Sequence, residues 1–441
     1  MIERLTLLAL VGMPFAAGAA CLYLGHRRAG TAIRVSVAAA LAVVVLVSVA
    51  TVDIEIPLVA NRALTLKATA QLGIQLLGLA MLGFVMSLIP DQTDDLVGWL
   101  AVAWLSLGGL ALALMITALP VALLSFVGST ILWAFALPEA RRAQAAPSMV
   151  RFTALLALAT PLLLIAFRLA ESRTTATPSI ERMVLALAVP AFALLVGVIP
   201  LHAWVLSLSS NTPREMLFGI LLVVETAGFG LLLRVLAAHP WIVGEARDAL
   251  VIGGALSALL GGWMALASPR RDPDDWLVYA TVANSGIVLA GLGTRSLSAG
   301  VGVALFLFAR VLALVVLALA PRVGGVMRRL AYAAGTLALA GTPGLAGFPG
   351  LWLIIRRLQI ADHSTASLAI LMGSGLLFAT AVRRWQASEA GVDGAWPVED
   401  DPGARRAVLS LIALMIVIGL APQLIADAFA SAMRDLYFPA E

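Results

Sequence analysis

Leu221-Leu222-Val223-Val224-Glu225-Thr226-Ala227-Gly228 sets one carboxylate in the middle of a long apolar run. From Met216 to Leu233 only Glu225 and Thr226 carry polar side chains. A surface helix of a soluble protein keeps a polar stripe at every third or fourth place, whereas this run is apolar all the way round. Such a helix lies in the core of a very large protein or in a bilayer. Composition decides between them. Of 441 residues, 61% are hydrophobic and 12% charged, and mean hydropathy is +1.00. That is about half the charged share of a soluble domain. So little polar surface cannot cover a core of this size, so lipid must be the solvent. A nucleic-acid partner is excluded despite a pI of 9.8, because net charge is only +4 and the arginines are dispersed.

Outward from residues 213–237, the ruler of roughly 20 apolar residues per crossing predicts fourteen membrane helices. They lie near 5–26, 32–52, 66–89, 96–115, 117–138, 150–170, 183–208, 213–237, 248–268, 275–293, 299–320, 328–358, 366–385 and 405–428. The twelfth is interrupted by Gly341-Thr342-Pro343-Gly344, and the seventh carries Pro200 near its end, so both read as broken. No run shows the ten-residue alternation of a membrane barrel. The fold class is therefore all-α integral membrane. Asp53 to Lys67 reads as a short extracytoplasmic hairpin, and Gln386 to Arg406 as a flexible polar connection. The first apolar run, Leu5 to Leu24, is long enough to span and is not followed by a convincing cleavage site. Arg27, Arg28, Arg34, Arg141, Arg142, Arg151, Arg270, Arg271, Arg322, Arg328 and Arg329 all follow odd-numbered spans. Basic loops face the cytoplasm. Both termini are then expected on the opposite side, in what reads as a bacterial inner membrane.

Ionisable groups within a span mark function by default, because burying charge in hydrocarbon is costly. Two sit deep: Glu225, and Arg310 in Phe306-Leu307-Phe308-Ala309-Arg310-Val311-Leu312. A proton or ion path is one reading; a structural ion pair, or contacts with neighbouring polar groups, is the other. His202 lies beside the Pro200 break, and Asn284 could hydrogen-bond between helices. Gly253-Gly254 and Gly261-Gly262 would permit close helix packing. Lys67 is the single lysine among 29 basic residues, and arginine cannot relay protons in lysine's way. Cys21 stands alone and the four histidines are far apart, so no metal ligand set, cofactor site or catalytic triad is expected.

Several of these stretches together resemble one family. It comprises the antiporter-like membrane subunits of complex I, Mrp-type cation/proton antiporters and membrane-bound hydrogenases. Ile199-Pro200-Leu201-His202-Ala203-Trp204 resembles its V-P-[FL]-H-x-W, with Asn211-Thr212-Pro213 where A-P-T-P opens the next helix. Residues 226–234 look like K-x-x-G-[FY]-x-L-L-x-R without the lysine. Residues 275–286 resemble D-x-K-R-L-L-A-Y-S-[ST]-[IV]-[AS]-H-x-G, and residues 339–348 look like L-A-G-[IL]-P-P-x-x-G-F. Gly419-Leu420-Ala421-Pro422-Gln423 is similar to the G-x-x-P-x of the last helix. The match covers roughly the seventh to fourteenth spans well, and the first six only by count.

The resemblance implies two inverted five-helix repeats, 96–237 and 248–385, between N-terminal helices in 1–95 and a loop and last helix in 386–441. It also implies proton transfer along a string of buried charges. Here this sequence departs. The family's glutamate of the fifth span falls near Gly128, and its lysines fall on Leu195, Glu225 and Leu314. Its histidines fall on Asn284 and Arg310, and the lysine or glutamate of the twelfth span on Leu351. The expectation is an antiporter-like subunit of a proton- or cation-translocating complex with a lost or altered relay. Its partners would be lipid and other membrane subunits, including an active antiporter-like chain, and it would hold no catalytic residues or cofactor of its own. Two alternatives stay open: a non-conducting scaffold, and an unrelated small-molecule carrier.

Overall fold

The computed structural model describes residues 2–24, 29–58, 62–88, 96–136, 139–171, 178–209, 212–268, 275–389, 401–434 and 436. Arg27, Arg28, Arg173, Arg270 and Arg271, the side chains of Arg141 and Arg142, and most of the connection expected between Gln386 and Arg406 lie outside the described residues. In chain order come α1 (Ile2–Leu24), α2 (Ala29–Val49), β1 (Ile54–Pro57), β2 (Ala63–Leu66), α3 (Ala68–Ser87), α4 (Leu96–Met115), α5 (Leu119–Phe135), α6 (Glu139–Glu171) and α7 (Pro178–Leu195). The short α8 (Ala203–Ser209) and α9 (Arg214–Gly219) follow, then a π-helical turn (Ile220–Val224) that runs into α10 (Glu225–Ala238). The remaining helices are α11 (Trp241–Glu245), α12 (Arg247–Ala267), α13 (Asp275–Gly293), α14 (Leu297–Leu319), α15 (Gly325–Leu339), α16 (Gly347–Ile360), α17 (Ser364–Glu389), α18 (Pro402–Leu420) and α19 (Gln423–Arg434).

Among the described residues, eleven helices are long and apolar enough to cross a membrane. The three other stretches predicted to span hold α5, at 17 residues, and the broken pairs α7–α8 and α15–α16. The chain is an integral, multi-pass, all-α membrane protein.

The helices group into two compact units. One holds residues 1–196 and 211–242, the other 197–210 and 243–441. In the first unit β1 and β2 pair antiparallel, Ile54 opposite Leu66 and Pro57 opposite Ala63. The end of α4 joins this hairpin, since Thr117 N donates to Ala63 O at 2.8 Å and its Oγ1 accepts from Ala63 N at 2.9 Å. Gln71 Nε2 donates to Val47 O and Ala50 O at the end of α2, closing carbonyls that a helix terminus leaves open.

In the second unit glycines set the helix spacing. A Cβ on Gly254 would lie 2.5 Å from Gly286 O, and one on Gly261 2.8 Å from Ala283 N, so α12 and α13 touch backbone to backbone. Gly262 meets Gly373 of α17 in the same way. Gly253 departs from the expectation: open space lies beside it, because it points away from α13. Arg383 donates to Leu266 O, and to Ser268 O at 3.0 Å, so this basic residue caps the C-terminus of α12.

Candidate functional site

Two helix breaks organise the polar interior, and proline explains where each begins. A proline ring clashes with the carbonyl four residues back and removes one ladder hydrogen bond. For Pro343 that residue is Leu339, the last of α15. For Pro200 it is Val196, immediately after α7 ends at Leu195. The break therefore opens ahead of Pro200 itself, with Gly197 taking φ of 65° and the Ile199–Pro200 peptide cis. Gly341 and Gly344, with φ of 67° and 85°, carry the chain through the second break, a backbone region that L side chains rarely adopt.

At the second break the carbonyls left open are taken up by neighbouring helices. Asn284 of α13 has no solvent exposure, and its Nδ2 donates to Leu339 O at 2.9 Å. Ser374 Oγ of α17 donates to Ala340 O. Asn284 Oδ1 and Thr342 Oγ1 are buried there without a hydrogen-bond partner. Leu351 of α16 packs its side chain against Gly341, 2.6 Å from where a Cβ would sit. Arg310, 2% exposed on α14, faces the same region. Phe306, one turn before it, abuts Gly350 of α16, and Ala313, three residues on, abuts Gly335 of α15. Residues three and four apart share a helix face, so Arg310 lies between those two contacts.

The segment past the first break is held by the second unit. Ile199 N donates to Ser257 Oγ of α12 at 2.8 Å, and Ser209 Oγ donates to the Asp275 carboxylate at the start of α13. The half-buried His202 lies beside Tyr279, ring centroids 6.3 Å apart. Helix α13 thus serves both breaks, with Asp275 and Tyr279 against the first and Asn284 against the second. The sequence reading singled out none of Asp275, Tyr279, Ser257 and Ser374 as site residues. Asp275 and Tyr279 sit four apart, the one sequence signal that they share a face.

Glu225 belongs to the first unit and is 1% exposed. It opens α10 directly after the π turn, where its N–H bonds back to Ile220 O rather than Leu221 O. A π turn shifts the side chains that follow it around the helix and recurs at functional sites. Gly228, one turn on, lies with its missing Cβ 3.6 Å from Leu195 O, so the Glu225 face of α10 looks onto the end of α7. Among the described residues, Glu225 and Arg310 are the only buried Asp, Glu, Lys or Arg side chains. Leu195, Leu314 and Leu351 are buried and apolar, and Gly128 points outward from α5. No group of three metal-ligating side chains occurs among the described residues.

A model of the transmembrane family of NADH:quinone oxidoreductase and Mrp antiporters matches residues 148–377, just over half the chain. No curated protein matches it in sequence. Among solved structures, it is similar to a chain of respiratory complex I from Thermus thermophilus with bound aureothin, at 20% identity and TM-score 0.76, covering 96% of this chain and 99% of that one. It is also similar to a chain of the Mrp complex from Dietzia sp., at 16% and 0.79, covering 100% and 98%. A chain of the membrane-bound sulfane sulfur reductase, an archaeal respiratory membrane complex, gives 16% and 0.83, covering 98% and 97%. At these identities the likeness is one of fold.

Proposed function

The chain belongs to the NADH:quinone oxidoreductase/Mrp antiporter transmembrane family, and from this we propose that it is an antiporter-like membrane subunit of a proton- or cation-translocating complex, with an altered relay of its own. The observation that carries the reading is the chemistry of its buried groups. A relay needs groups that gain and lose a proton near neutral pH, spaced so that water can bridge them. Within residues 148–377 there is no lysine, and among the described residues the buried charged ones are Glu225 and Arg310. An arginine keeps its proton at any working pH and cannot relay one. Leucine at 195, 314 and 351 holds none. Glu225 remains in the first unit, and His202, Asp275 and Tyr279 beside the segment that follows the first break, too few to carry a proton across roughly 30 Å of hydrocarbon.

A second reading, the non-conducting scaffold, is favoured by the second break. Its carbonyls are closed by Asn284 and Ser374, and its Gly341 is covered by Leu351. Family membership sets aside the unrelated carrier.

Under this proposal the repeats are residues 96–237 and 248–385, and the separation of the chain into units near residue 242 supports the boundary between them. Both termini lie on the extracytoplasmic side of a bacterial inner membrane. Other membrane subunits surround the chain, an active antiporter-like subunit among them, as the neighbours' origin in multi-subunit complexes suggests. Extraction from native membranes in mild detergent, followed by sizing and identification of co-purifying chains, tests this. The expected result is a stoichiometric assembly with other membrane subunits. A well-behaved monomer would contradict it.

A further inference from the structure

At one end of the second unit, side-chain contacts knit five helix termini through arginine and tryptophan. The Arg329 guanidinium lies over the Trp385 ring at 5.9 Å, joining the start of α15 to the end of α17. The Arg384 guanidinium lies over Trp276 of α13 at 4.9 Å. Arg383 caps α12, and Arg322 pairs with Asp401 at the start of α18. Arg328 Nε donates to Val323 O at 2.9 Å, which fixes that side chain at the first turn of α15.

From this collar an apolar stripe runs along α17. Val382, Phe378, Met372 and Leu368 recur at intervals of four or six residues on one face and are 42%, 46%, 52% and 59% exposed. Gly375 interrupts them with open space beside it, a notch between Met372 and Phe378. At 1.5 Å per residue the stripe is about 21 Å long, more than the ~15 Å depth of one leaflet.

We propose that this face binds an anionic phospholipid, its phosphate held by Arg328 and Arg329 beside Trp385 and an acyl chain laid along α17 across the Gly375 notch. The match is amphipathic. Positive charge and a tryptophan stand where headgroups lie, and apolar surface continues directly into the hydrocarbon. A neutral lipid would use the stripe without the arginines, and a soluble anion would use the arginines without the stripe.

Native mass spectrometry of the full chain, in its membrane assembly and mild detergent, tests this by titrating phosphatidylglycerol against phosphatidylcholine. Phosphatidylglycerol is expected to bind more tightly, with about a five-fold loss for Arg328→Gln or Arg329→Gln and about 25-fold for the double variant. Gly375→Trp fills the notch from open space and leaves the fold intact. It is expected to weaken the lipid while inorganic phosphate, as competitor, shows no measurable effect at millimolar concentration. Equal binding of the two lipids would overturn the proposal. So would lipid binding unchanged in Gly375→Trp, displacement of the lipid by phosphate alone, or cross-linking of a partner subunit to the α17 stripe.

Discussion

Replacing Asn284 separates the structural role of the second break from any proton-carrying role. The Asn284 amide donates one hydrogen bond, 2.9 Å to Leu339 O, in a site with no solvent exposure. Its Oδ1 accepts none. In Asn284→Leu the Leu339 carbonyl loses its donor, which costs about 1–3 kcal/mol, but an unsatisfied buried oxygen of similar cost disappears with the amide. The two effects nearly cancel, and the expected net loss is under about 1 kcal/mol. Asn284→Asp behaves differently. An aspartic acid can donate to Leu339 O only while protonated, and holding an ordinary carboxyl protonated at pH 7 costs about 4 kcal/mol. That cost shrinks as pH falls and is gone below about pH 4. Thermal unfolding of the purified protein in detergent, at pH 7 and pH 5, reads both variants. Asn284→Leu should unfold near wild type at either pH. Asn284→Asp should be strongly destabilised at pH 7 and partly restored at pH 5. Equal damage from both, or a pH-independent defect in Asn284→Asp, would refute the reasoning.

Other expectations follow from single contacts. Gly254→Ala drives a Cβ into the Gly286 carbonyl and the Ala290 N–H of α13, at 2.5 and 2.6 Å, and should cost about 1–3 kcal/mol; Gly253→Ala, facing open space, should stabilise by about 0.5–1 kcal/mol in the same unfolding assay. Ser257→Ala removes the acceptor for Ile199 N and should cost about 1–2 kcal/mol, with faster hydrogen exchange at the Ile199 amide. Asp401→Ala should cost about 1 kcal/mol and fray the start of α18, because Asp401 accepts from Gly403 N at 2.8 Å and Ala404 N at 3.3 Å. Burial pushes the Asp401 carboxyl up, but those N–H groups and Arg322 outweigh it and hold it below the usual carboxylate range. Its contribution is therefore fully present above about pH 4 and fades as pH falls through the lowered value. A wild-type advantage over Asp401→Ala that grew on acidification would contradict this.

The membrane helices are legible because their apolar residues surround the helix, and that property survives without any knowledge of neighbours. Both breaks are legible at their prolines and glycines, although the first opens at Val196, where the Pro200 ring would clash with the carbonyl, rather than at the proline. The π turn before Glu225 is not legible. It exchanges one backbone hydrogen bond for another inside Ile220–Val224, residues that would equally suit an α-helix. Equivalent-looking glycines also differ, since Gly254 touches α13 and Gly253 nothing, a distinction made by which face meets the neighbour. Arg383 falls inside the predicted span 366–385, and its role in capping α12 depends on which helix lies opposite. At the site, Asn284 and His202 stand out as polar residues in apolar runs. Tyr279, Ser257 and Ser374 do not, because their roles depend on which helix lies opposite.

Proton uptake by proteoliposomes containing the assembled complex, with wild-type chain and with Glu225→Gln, tests the altered relay most directly. Glu225 is the one deeply buried carboxylate among the described residues, and Gln keeps its shape while abolishing its titration. An altered relay with too few titratable groups predicts that uptake in Glu225→Gln stays near the wild-type rate once normalised to assembled complex. Normal assembly with uptake abolished would show that this chain conducts protons through Glu225.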